Sequence, residues 1–172
     1  MTEIVMLTEH FSVNEFRCPC CGMLKPSHGF ILSLEQFRRE IDQPIHVASG
    51  FRCSVHNRQI GGSAHSQHLE GRAADIFVDG WNSYRLAYEA YIVRFLMIPI
   101  LFGGIGCYPE HNNQSVHLDT RTNPTFWVDR GGVRQYMRDD EFFNFLQGKV
   151  KDQIHDKEMA GIDPGNLPGN PI

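Results

Sequence analysis

The sequence predicts an α+β fold, a small and mainly antiparallel sheet with helices packed on one side. Two segments carry apolar residues at three- and four-residue spacing, the mark of a helix with one buried face. Four short segments are β-branched or alternate apolar with polar, the mark of strands. Two of these strands are joined by a short polar turn, as antiparallel neighbours are. At 172 residues and 41% hydrophobic, the chain is long enough to bury a core, and one domain is expected.

The elements follow in order. "FSVNEF" (residues 11–16) places Ser12 at an N-cap and Glu15 at the capping-box position, which predicts a helical turn. "SHGFILSLEQFRREI" follows Pro26, and Phe30, Leu34, Phe37 and Ile41 form one face of a helix. "PIHVASG" reads as a strand that ends in a turn. In "RAADIFV" (residues 72–78), Ala74, Ile76 and Val78 alternate with Asp75 and Phe77, which predicts a half-buried strand. Tyr84, Ala87, Tyr88, Tyr91, Ile92 and Phe95 predict a second long helix, stopped at Pro99. "LFGGIGCYP" and "SVHLDTR" read as two strands joined by "EHNNQ". A further helix is expected over residues 136–146. One domain is placed at 1–150 and an irregular or disordered tail at 151–172, where "AGIDPGNLPGNPI" is rich in Gly, Pro and Asn.

Charge and composition exclude several functions. The net charge is -4 and the basic residues are scattered, so neither nucleic acid nor an anionic membrane is an expected partner. The longest apolar run, "FLMIPILF", is far short of a membrane span. The first residues show no basic region followed by an apolar one, so no signal peptide is expected, and synthesis in the cytoplasm is.

Ligand chemistry concentrates in "GSAHSQHLEGRAAD" (residues 62–75). His68 in a loop and Asp75 on the following strand converge if Gly71 lets the chain fold back. An imidazole and a carboxylate are normal zinc ligands, and a third must come from elsewhere. His117 is the best candidate, since its neighbours Val116 and Leu118 would face the other side of a strand. Three protein ligands leave a fourth position open, where zinc can activate water. Spacing alone leaves two readings open, because Asp75 also suits a strand-end cap and any one histidine also suits the surface. His10, His46, His56, His65 and His155 are read as ordinary histidines.

"SQHLEGRAAD" (residues 66–75) fits the S-x-H-x-x-G-x-A-x-D signature and thereby resembles the M15 zinc peptidases, the D-Ala-D-Ala carboxypeptidase and L-alanyl-D-glutamate endopeptidase group. "HVASGFRCSVHNRQIGG" upstream, "FGGIGCYP" with "VHLDTR" downstream, and "FSVNEFRCPCCG" at the start are similar to other blocks of that family, in the same order. The resemblance covers Phe11 to about Trp127, and the block of "FGGIGCYP" and "VHLDTR" resembles the closing block of the bacterial and phage members of subfamily A. It implies an M15/hedgehog-like fold, one zinc per chain, and His68, Asp75 and His117 as its ligands. It implies that Arg52 binds substrate and polarises the scissile carbonyl, where a surface ion pair is the plainer alternative, and that Ser66 makes local hydrogen bonds in the ligand loop. It further implies peptidoglycan peptides as substrate and partner, action at the cell wall after release or non-classical export, as for a phage lysin, and a monomer.

The general base departs from the family pattern. Asn112, Gln114 and Ser115 stand before His117 where many members carry a carboxylate or histidine. Asp119, Glu110 and His111 are the remaining candidates, and Asp119 can alternatively orient His117. Two other functions stay open: a zinc-binding module without peptidase activity, and a structural or interaction protein such as a virion component.

"RCPCCG" contains Cys18, Cys20 and Cys21. The expectation is free thiols, buried or loosely paired. A second metal on these three, with His28 or Cys53 as fourth ligand, is the alternative.

Overall fold

A computed structural model of the chain describes residues 4–96 and 101–159, with the side chains of 155–159 excepted. The predicted helix stop at Pro99, His155 and the tail from Ala160 lie outside this description. A 3-10 turn at Val13–Phe16 opens the fold, and the Glu15 carboxylate accepts hydrogen bonds from the Ser12 backbone N–H and hydroxyl at 2.6 and 2.8 Å. α1 (His28–Ile41), β1 (His46–Ser49), α2 (Ser54–Gln59) and a second 3-10 turn (Gln67–Glu70) follow. Then come β2 (Ala73–Phe77), α3 (Ser83–Leu96), β3 (Gly104–Cys107), β4 (Val116–Asp119), β5 (Thr125–Arg130), β6 (Val133–Met137) and α4 (Asp139–Met159).

The six strands form one sheet in the order β1-β2-β4-β3-β5-β6, antiparallel except for the β3–β5 pair. The expected α+β architecture is therefore observed. The sheet's two faces are chemically distinct, because side chains alternate along each strand. Ala74, Ile76, Ile105, Val116, Leu118, Phe126 and Val128 join the core with the buried faces of α1, α3 and α4. The opposite face carries the polar site.

Three expectations are corrected. The apolar side of α3 is wider than the tyrosine pattern indicates: Leu86, Ala87, Ala90 and Val93 are buried, while Phe95 is exposed. The helix has three neighbours, the sheet, α1 and α4, and Tyr84 and Tyr88 meet Phe145 and Phe143 of α4. The helix expected from residue 136 begins at Asp139, because residues 125–137 form the β5–β6 hairpin. Its signal was present in "TFWVDRGGVRQYM": alternating strand residues on both sides of Gly131-Gly132. The tail boundary at 150 is also too early, since α4 continues to Met159. No proline interrupts residues 139–159, and Asp139, Asp140 and Glu141 stabilise the first turn against the helix dipole. Among the described residues no helix is long and apolar enough to cross a membrane.

Candidate metal centre

One row of paired residues crosses the whole sheet: Ser49, Asp75, His117, Gly106, Trp127 and Tyr136, one from each strand. Asp75, His117, Trp127 and Tyr136 of this row floor a cleft, whose walls include Arg52, His65, Ser66, His68 and Arg134. His68 enters from the second 3-10 turn. That turn closes at Gly71, with φ of 64°, and a Cβ at Gly71 would overlap the Lys25 carbonyl. A side chain there is excluded, which explains the glycine between ligand and strand.

Sequence reasoning proposed His68, Asp75 and His117, and the fold brings them together. His68 Nε2 lies 3.3 Å from Asp75 Oδ1 and 3.1 Å from His117 Nδ1, and His117 Nδ1 lies 3.0 Å from Asp75 Oδ1. Protons on the outer nitrogens decide what these atoms can do. His68 Nδ1 is 2.7 Å from the Gly50 carbonyl, which can only accept, so Nδ1 carries the proton. His117 Nε2 is 2.9 Å from Asp119 Oδ2, and Arg121 Nε donates to both oxygens of that carboxylate, at 2.9 and 2.8 Å. Burial opposes ionisation of Asp119, but His117 and Arg121 hold it well below the usual carboxylate range. It therefore accepts from Nε2.

His68 Nε2, His117 Nδ1 and an Asp75 oxygen consequently point at one another. Burial opposes charge on His117, but Asp119 and Asp75 raise its pKa, so without a metal a proton on Nδ1 is favoured. Burial lowers the His68 pKa, which keeps its Nε2 lone pair available at neutral pH. Burial also opposes charge on Asp75, yet His68 and His117 hold its carboxyl well below the usual range. Three such atoms this close need a proton or a metal ion among them. A tetrahedral zinc with nitrogen and oxygen ligands has edges of about 3.3 Å, which these separations match. The cluster can coordinate a metal ion, and its donor set suits zinc.

Arg52 pairs with the outer oxygen of Asp75 and donates from Nε to Ser49 Oγ at 2.8 Å. It is thus an ion-paired residue and also a wall of the cleft. Ser66 sits at the N-cap of the second 3-10 turn but makes no side-chain hydrogen bond to it. The expected local bonding comes from its backbone, through Ser66 N–H to the Ser63 carbonyl at 3.1 Å. Asp119 is fully buried behind His117 and does not line the cleft. Glu110 and His111 are exposed, and His111 borders the groove that runs past Arg52, Asp75 and Tyr108. His65, expected to be ordinary, lies exposed at the cleft rim.

Tyr108, Trp127, Arg134 and Tyr136 also line the cleft and were not anticipated. Recognising the β5–β6 hairpin would have placed Trp127 and Tyr136 on the face of His117. Gly104 and Gly106 complete the arrangement: a Cβ at Gly106 would overlap the Trp127 indole, and one at Gly104 the Asp119 carboxylate.

A family model described as Peptidase M15 matches residues 9–119, well over half of the chain. The match spans all three candidate ligands and ends at Asp119, before Trp127, Arg134 and Tyr136. Comparison with curated proteins returns no match.

Proposed function

This chain belongs to the M15 peptidase family, and from that premise we propose that it is a subfamily A-type peptidase cutting the stem peptides or cross-links of peptidoglycan. Zinc-dependent hydrolysis in general follows from the family and from the His68, Asp75 and His117 cluster. The observation that carries the reading is the convergence of three potential metal-ligand atoms at 3.0–3.3 Å on the floor of an open cleft.

Zinc held by His68, Asp75 and His117 supplies a Lewis acid and lowers the pKa of water. The remaining work falls to the protein. Arg52 presents a fixed donor to the substrate carbonyl or to a terminal carboxylate. Arg121 and Arg134 also line the cleft, against Asp75 as the one carboxylate among its described lining residues. Such a wall suits a peptide rich in carboxylates. Of the three candidate bases, His111 alone borders the groove: its Nδ1 faces Ser115 Oγ at 3.5 Å, which leaves Nε2 to take the proton of attacking water. Asp119 acts as a positioning residue that fixes the His117 ring.

Digestion of purified peptidoglycan with and without chelator, with products identified by mass, tests the function. Free D-alanine selects a carboxypeptidase, and shortened or freed stem peptides select an endopeptidase. Intact peptidoglycan with zinc bound overturns the proposal in favour of a zinc-binding module without activity. His111→Gln is expected to keep its zinc and lose about 10²- to 10⁴-fold in rate; an unchanged rate removes His111 as base.

A further inference from the structure

The cysteines of "RCPCCG" have no part in the cleft, and the fold does with them something the sequence left open. Cys18, Cys20 and Cys21 meet Cys53, which arrives from the loop after β1, and one sulfur from each lies within 4.8 Å of the other three. Cys20 Sγ is 3.6 Å from Cys18 Sγ and 3.3 Å from Cys53 Sγ. A disulfide requires about 2.05 Å, and all five cysteines are free thiols. The edge of a tetrahedral zinc–tetrathiolate is about 3.8 Å, from a zinc–sulfur distance of about 2.3 Å. The Cys18–Cys20 and Cys20–Cys53 separations lie near that edge, and every pair of sulfurs is within 4.8 Å.

The backbone is arranged for anionic sulfur. Cys53 N–H points at Cys18 Sγ and His56 N–H at Cys53 Sγ, both at 3.4 Å. The loop is tightly closed: Gly22 N–H donates to the Cys18 carbonyl and Cys18 N–H to the Met23 carbonyl, each at 2.8 Å. Gly22, with φ of 68°, makes the reversal that turns Cys20 and Cys21 back toward Cys53. The expectation of free thiols, buried or loosely paired, holds: Cys18 is buried, and Cys20 and Cys21 are exposed and free. Exposed thiols in mutual contact have no packing role.

We infer that Cys18, Cys20, Cys21 and Cys53 form a second, structural zinc site, with four protein ligands and no open position. Each thiol gives up its proton to solvent on binding. His28, the other candidate for fourth ligand, is not part of the cluster. The site clamps the N-terminal segment to the loop that carries Arg52, one residue before Cys53. It does so beside the Phe51 N–H to Phe16 carbonyl bond of 3.0 Å. The ion's task is thus to hold Arg52's loop, and the cleft zinc is a separate site.

Metal content of the full-length protein purified from zinc-supplemented culture under reducing conditions is the first test. Two zincs per chain are expected, falling to one in C18S/C21S and to one in His117→Ala, where the remaining zinc is released by a thiol-blocking mercurial. Cobalt substitution guards against misfolding of the cysteine variant. Wild type and His117→Ala should both show thiolate-to-cobalt charge-transfer absorption in the near ultraviolet. One zinc in folded wild type, cobalt protein without that absorption, or a Cys20–Cys53 disulfide found by mass in the protein as purified would each overturn the inference.

Discussion

Asp119 stands two residues after a metal-ligand candidate, where a carboxylate either takes a proton from water or holds the ligand's ring. Its burial behind His117, the 2.9 Å contact to Nε2 and the grip of Arg121 place it for the second task. Asp119→Asn is therefore expected to weaken zinc binding by about 10- to 100-fold, with activity recovered at saturating zinc. Competition with a chelator measures the first and a rate at full zinc occupancy the second. Lost activity in the fully loaded protein would return Asp119 to the role of base. Glu35 is a second buried carboxylate, on α1, where it accepts from Thr8 Oγ1 at 2.8 Å and Arg39 Nε at 2.9 Å and contacts His10 Nδ1 at 2.8 Å. Burial opposes its charge, but these partners hold its pKa below the usual value. A depressed folded pKa gives stability that is present above the ordinary carboxylate range and lost as pH falls through the folded value. Thermal melts of wild type should therefore lose more Tm under acid than those of Glu35→Gln. Parallel pH profiles would show that this carboxylate does not anchor the N-terminal segment.

At the scale of elements, β3 is a spacer strand. Gly104 and Gly106 sit across from Asp119 and His117, and leave room for the Asp119 carboxylate and the Trp127 ring. Gly106→Ala must displace the indole, and a loss of about 1–3 kcal/mol is expected from overpacking. Gly104→Ala must displace Asp119, so its signature is weaker zinc binding in addition to lower stability. Denaturant midpoints and zinc titrations separate the two. If both variants bind zinc like wild type, the glycines serve only the backbone.

For the whole molecule, α4 closes the helical layer. Phe142 and Leu146 are fully buried, and Phe142 stacks on Phe126 of β5 with ring centroids 5.2 Å apart. Beyond residue 150 the described side chains are exposed or half-buried. Truncation after Val150 should therefore leave zinc content unchanged and shift Tm slightly. Truncation before Asp139 should abolish the cooperative melt. A large loss of Tm in the shorter deletion would show that the last turns of α4 belong to the core.

The sequence by itself determined the helical face of α1, the four strands from β1 to β4, and the three residues of the cleft cluster. The elements are written in local periodicity, and the three residues in two short motifs, one with His68 and Asp75 and one with His117, whose family resemblance selected them as a set. The role of Asp119 was not legible, because a strand places its carboxylate beside His117 without saying which nitrogen it meets. Trp127 and Tyr136 reached the site only through strand pairing, which the mistaken helix from residue 136 had hidden. Cys53 joined Cys18, Cys20 and Cys21 only when β1 and the N-terminal segment packed together, since 32 residues separate Cys21 from Cys53. Tertiary structure decided these because a ligand set is a meeting of chain segments, and spacing along the chain does not encode distance across a sheet.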